Sequence, residues 1–146
     1  MSVMHPSDSS AQRAAEPLIV AAVAEYVGLE LTAETIDLGD GVQVQIDGAS
    51  SDRSVLVEAY AHVGPLLSGQ SRKLTTDAFK LVWAGRRLGA SRLVIAVADV
   101  DAEAYLLRPR AWLTAALRDS GVEVMRVTID AAAQARVVAA QRIQFR

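Results

Sequence analysis

The sequence predicts an α/β domain with a mixed sheet. An antiparallel three-strand meander is followed by parallel β-α-β units, with helices on both faces, in the order αβββαβαβα. Three observations predict it. Three β-compatible segments follow one another across two tight turns, a spacing that antiparallel strands accept and parallel strands do not. The second half alternates apolar strand-like runs with helical periods, the pattern of parallel strands joined by helical crossovers. The length, 146 residues, suits one domain with its own core.

Each element has its own local warrant. Residues 1–12 are polar, with a Ser-Asp-Ser-Ser run, and read as a frayed tail; residues 13–146 read as the single domain. Over 13–28, Ala15, Leu18, Ile19, Ala22, Val23 and Tyr26 recur at the helical period, and Gly28 is a natural stop. Residues 34–38 are β-compatible and run into Gly39-Asp40-Gly41, a turn signal. Residues 42–47 alternate apolar and polar, which places Asp47 at the end of the second strand. After a turn over 48–53, the segment 54–63 is the third strand, and Glu58, Tyr60 and His62 share one of its faces.

A helix is expected over 70–88, with Leu74, Ala78, Leu81 and Val82 on its buried stripe. The run 92–98 is almost wholly apolar, as in a strand covered on both sides. Asp99-Val100-Asp101 begins either a loop or a helix cap. Pro109 suits the first turn of a helix over 109–119, Gly121 follows it, 122–129 is the last strand, and Asp130 caps a final helix over 131–140.

Composition narrows the chemistry. There is no cysteine, and His5 and His62 are the two histidines, so disulfides, thiolate metal sites, thiol nucleophiles and histidine-rich metal sites are excluded. The start lacks a basic segment followed by an apolar run, and nothing approaches the roughly 20 apolar residues of a membrane helix; the expectation is a soluble, cytoplasmic protein. A net charge of −2 argues against a general polyanion binder, although a local basic face is compatible with it. Trp83 and Trp112 are expected as packing residues and His62 as a surface histidine at a strand end. Arg86, Arg87 and Arg92 form either a basic rim or helix-end cations.

Carboxylates and lysines remain as the chemical groups. Asp47 and Glu58 lie on neighbouring strands and converge only if the sheet twists or bulges there. Two converging carboxylates suit a hard divalent ion. Glu58 has a structural alternative, an ion pair with Lys73 or Arg72. Gln70, Lys73, Asp77 and Lys80 fall on one helical stripe, which faces either solvent or a cleft.

An acidic residue closing one strand, VLVEAYAH in the next, and GQSRKLTTDAFKL opening a helix together resemble the PD-(D/E)XK superfamily over roughly residues 13–100. The resemblance implies the restriction-endonuclease-like fold, a magnesium-dependent nuclease acting on DNA, and Asp47 and Glu58 as metal ligands. Glu16 or Glu25 would supply the helical glutamate that some members use. Where the superfamily carries its catalytic lysine, two residues after the second acid, this chain has Tyr60, which supplies no positive charge near neutral pH. The resemblance then implies a lysine relocated to the next helix, with Lys73 the candidate and Gln70 its companion. Without relocation the chain is a degenerate, non-cleaving member. The alternative function is therefore a non-catalytic interaction or assembly module on the same fold. A homodimer suits either reading.

Overall fold

A computed structural model describes residues 10–144. The elements are α1 (Ser10–Val27), β1 (Thr32–Asp37), β2 (Gln43–Ala49), β3 (Val55–Tyr60), α2 (Ser68–Leu88), β4 (Arg92–Val97), α3 (Val100–Leu106), α4 (Trp112–Asp119), β5 (Val122–Arg126) and α5 (Ala131–Gln144). The five strands form one sheet in sequence order. β1–β2 and β2–β3 are antiparallel, and β3–β4 and β4–β5 are parallel. The chain is thus α/β with a mixed sheet, as the meander and the strand–helix alternation predict.

The element order differs from expectation by one helix. Between β4 and β5 the chain makes α3 and α4 rather than one helix over 109–119. Asp99 caps α3: its Oδ2 accepts the N–H of Asp101 at 3.0 Å. A seven-residue helix is too short to show a period, and burial of Ala102 and Leu106 stabilises it. Pro109 falls before α4 because Arg110 takes a left-handed conformation, φ 66°, that no helix continues through. Residues 10–12, expected in the tail, belong to α1. The expectation for residues 1–9, His5 among them, lies outside the described residues.

Each face of the sheet carries a core. On one face α2, α3 and α4 bury Leu74, Leu81, Leu106 and Leu117 against Ile46, Leu56, Ile95 and Val97. On the other, α1 and α5 bury Ile19, Val23 and Val137 against Val57, Val94 and Ala96. β3 and β4, in the middle, are covered on both sides, which explains why their sequences are nearly continuous apolar runs. α2 lies close to β4: a Cβ on Gly85 would come within 2.7 Å of Leu93 Cδ2. No helix among the described residues is long and apolar enough to cross a membrane.

Candidate functional site

β2 is built with an extra residue. Thr32 pairs with Ala49, but Glu34 pairs with Ile46, so three steps of β2 oppose two of β1. This bulge falls on Asp47 and Gly48 and breaks the alternation of the strand. Ile46 and Ala49 both enter the core under α2, while Gly48 turns to α1, where its absent side chain makes room for Val20 (2.7 Å from an added Cβ). Re-aiming a side chain is what such bulges do. Asp47 therefore lies inside β2, two residues before its end, rather than closing it. The six-residue alternation over 42–47 ran out before the bulge and hid the two residues after it.

β2 and β3 pair at Gly48↔Val57 and Ala49↔Leu56, and beyond these the strands part. In the fork Asp47 and Glu58 are the next residues on either side. Asp47 bridges it, its Oδ2 accepting the N–H of Ala59 at 2.9 Å. The Glu58 carboxyl, when protonated, can donate to the neighbouring Asp47 carboxylate. The two acids thus converge, through the bulge that the sequence left as one condition for it.

Glu58 is 2% exposed and faces α2. Its cationic neighbour is Lys80, whose Nζ stands 2.6 Å from Oε1 in a nearly buried ion pair. Lys73 and Arg72, the expected partners, are not in contact with it. Lys73 lies nearly two turns earlier on α2 and binds Asp77 at 2.8 Å. Gln70 is further off still, its Oε1 accepting the Leu67 N–H at the start of α2. Of the expected polar stripe, then, Lys80 reaches the buried acid, Lys73 and Asp77 pair beside it, and Gln70 serves the helix end. The helical period placed these residues on one face without saying which turn stands over Glu58.

Burial, a hydrogen bond that protonated Glu58 donates to Asp47, and the charge of Asp47 push the Glu58 carboxyl up to about 9, against the opposing pull of Lys80. Glu16 on α1 is raised to about 7, first by burial and then by the charge of Asp47. Lys73 is held above the usual lysine range: burial opposes its charge, but the bond to Asp77 and the nearby Glu16 and Asp47 outweigh it. Glu16 of α1 and Lys73 of α2, on helices that pack against opposite faces of the sheet, thus both feel the charge of Asp47. Beside the fork a groove of about 340 Å³ is lined by Arg13, Glu16, Pro17, Val20, Gln45 and Asp47 among others. Pro17, inside α1, has no N–H to return to the carbonyl of residue 13 on this wall.

Glu25 is exposed and nine residues beyond Glu16, about 13 Å along the helix, away from the fork. Tyr60 is 3% exposed, with no hydrogen-bond partner for its hydroxyl; burial first, then Asp77 and Asp99, raise its phenol further above its ordinary range. His62 is not a surface residue. It is 4% exposed, with Nε2 3.2 Å from the Pro65 carbonyl oxygen and Nδ1 unpartnered, because the chain folds back at Gly64-Pro65 over the end of β3. Trp83 and Trp112 are not core residues either, at 37% and 72% exposure. Arg92 pairs with Glu123 across β4–β5, and Arg87 bonds the Leu38 carbonyl, so neither is a free rim cation.

Among the described residues no group of three or more His, Asp or Glu is arranged to hold a metal ion. Comparison of the chain with protein-family models, with curated proteins and with solved structures returns no match.

Proposed function

We propose that the protein is a divalent-metal-dependent phosphodiesterase of the PD-(D/E)XK kind, acting on nucleic acid, with its site in the β2–β3 fork. One observation carries the reading: a fully buried glutamate placed beside an aspartate by a bulge, with a lysine of the next helix at 2.6 Å. A sheet that needed only stability would not put a second carboxylate, half-buried Asp47, beside buried Glu58, since placing like charges together away from water is costly. The element order through β4 supports the same fold family.

The residues fit a hard cation. Their donors are carboxylate oxygens, one of which, Glu58 Oε1, is buried with Lys80 Nζ at 2.6 Å. Asp47 and Glu58 would hold the ion, with water and substrate oxygens completing the shell. When bound, a magnesium ion supplies Lewis acidity that lowers the pKa of a water molecule. Lys80 takes the part that Tyr60 cannot, a fixed positive charge beside the second acid, and Lys73, paired with Asp77, is a further cation on the same helix. This moves the relocated lysine from Lys73, the expectation from sequence, to Lys80. Glu16, with its raised pKa, is placed to accept or return a proton near neutral pH.

The test is cleavage of plasmid and single-stranded DNA with magnesium or manganese, alongside calorimetric titration of manganese. Expected are cleavage by the wild type, loss of at least about a hundredfold in Glu58→Gln and Lys80→Met, and loss of the manganese heat in Glu58→Gln. Cleavage that survives Glu58→Gln undiminished would falsify the assignment. A second reading, a non-catalytic module, draws on the buried Tyr60 at the usual lysine position. It is favoured if neither cleavage nor a heat of metal binding is found.

A further inference from the structure

The outer face of α2 does not look like the solvent face of a helix. Arg72, Thr76, Phe79, Trp83 and Arg86 recur at spacings of four, three, four and three and are all exposed. Phe79 is 76% exposed and Trp83 37%, and across a groove of about 330 Å³ on the flank of this face stands Trp112 of α4, 72% exposed. Large aromatics presented to water in this way mark a contact surface.

Charge says what the surface contacts. The 21 residues of α2 carry five cations, Arg72, Lys73, Lys80, Arg86 and Arg87, against one acid, Asp77. That is +4 on one helix in a chain of net −2, leaving −6 for the other 125 residues. Such segregation produces a local positive field that the net charge conceals. Lys73, Lys80 and Asp77 face the β2–β3 fork; Arg72 and Arg86 stand on the outer stripe at its two ends, about 21 Å apart along the helix.

We infer that this face of α2, with Trp112, binds single-stranded nucleic acid. Unpaired bases stack on Phe79 and Trp112, and the backbone phosphates meet Arg72 and Arg86. Aromatic rings flanked by cations, here Arg72 and Arg86, are an arrangement that holds single strands without reading sequence, whereas a duplex hides the faces of its bases. The span fits about four nucleotides, the short end of such sites. The surface is distinct from the Asp47–Glu58 fork, and the inference holds whether or not that fork cleaves.

The test is fluorescence anisotropy of a labelled oligothymidylate of about 20 nucleotides with the full chain in EDTA, alongside tryptophan quenching. Binding by the wild type is expected, with a preference over duplex of the same length. Phe79→Ala/Trp112→Ala weakens it at least about tenfold while the melting temperature stays within a degree or so of wild type, since both rings are exposed. Arg72→Gln and Arg86→Gln each lower the slope of log affinity against log salt by about 0.7. Glu58→Gln binds as wild type does, which separates this surface from the proposed hydrolytic site. The inference is overturned if the wild type does not bind the oligonucleotide at low salt, or if the double aromatic variant binds it equally well. It is also overturned if sedimentation shows a dimer that the variant dissociates while oligonucleotide affinity is unchanged.

Discussion

Glu58 concentrates the chemistry of the molecule in one side chain. Its folded pKa, about 9, lies above the unfolded value near 4.5, so folding favours the protonated form. The stability this contributes is full below about pH 4.5 and is lost as pH rises toward 9. Glu16, at about 7, acts in the same direction over a narrower window. Without metal, the melting temperature is expected to fall between pH 5 and 9, and Glu58→Gln, neutral at every pH, to flatten that fall. A profile equally steep in Glu58→Gln would show that the fork does not govern it. Tyr60 offers a contrasting case. Its hydroxyl is buried without a partner, so Tyr60→Phe removes an unmet polar group at almost constant volume. Urea denaturation is expected to show a change between zero and about 1 kcal/mol in favour of the variant.

Two elements decide where that chemistry sits. The bulge in β2 turns Gly48 toward α1, and Val20 occupies the space a side chain would need. Gly48→Ala must push α1 outward, at a cost of about 1–3 kcal/mol. It also carries Glu16 away from Asp47. Combining it with Val20→Ala should recover part of the loss, giving a coupling of at least about 0.5 kcal/mol in a double-mutant cycle. Strict additivity would mean that the two residues do not meet. At the far end of β3, Gln141 of α5 holds Val63 through both its N–H (2.9 Å) and its carbonyl (2.6 Å). This ties the last helix to the strand that carries Glu58. The turn between β2 and β3 is knotted by Asp52, whose carboxylate accepts from Ser50, from the Ser54 hydroxyl and from the Ser54 N–H. These three bonds hold the acid well below the usual carboxylate range, at about 2.

At the scale of the whole molecule, the sheet separates two cores. Leu81 is buried under α2 on one face and Val137 under α5 on the other, both fully. Leu81→Ala is expected to cost about 2–5 kcal/mol. Its effect should add to that of Val137→Ala within about 0.5 kcal/mol, because the sites share no neighbours. A large coupling in denaturant melts would show that the sheet transmits strain between its faces. The polarity of the molecule is divided as unevenly as its cores are evenly matched. One helix carries +4 against −6 elsewhere, and that helix supplies both the lysine in the fork and the aromatic stripe outside it.

Sequence by itself determined the sheet and most of its helices, because those depend on local periods and turn residues. The meander follows from two Gly- and Ser-rich turns, the buried strands from unbroken apolar runs at β3 and β4, and the last helix from Asp130, whose Oδ1 does accept the Ala133 N–H at 2.7 Å. The absence of cysteine and the scarcity of histidine confined any chemistry to carboxylates and lysines before any contact was known. Tertiary structure alone decided which of them meet. Spacing could not distinguish Lys73 from Lys80, which share a stripe, since the turn of α2 that stands over Glu58 is fixed by packing of Leu74, Leu81 and Gly85 on the sheet. Nor could it convert the acidic residue before a glycine into a bulged position, because a bulge is a mismatch between two strands and is written in neither one. The burial of His62 and the exposure of Trp83 and Trp112 have the same origin. Hydrophobicity says which side chains prefer the interior, but the number of neighbours available to cover them is a property of the assembled fold.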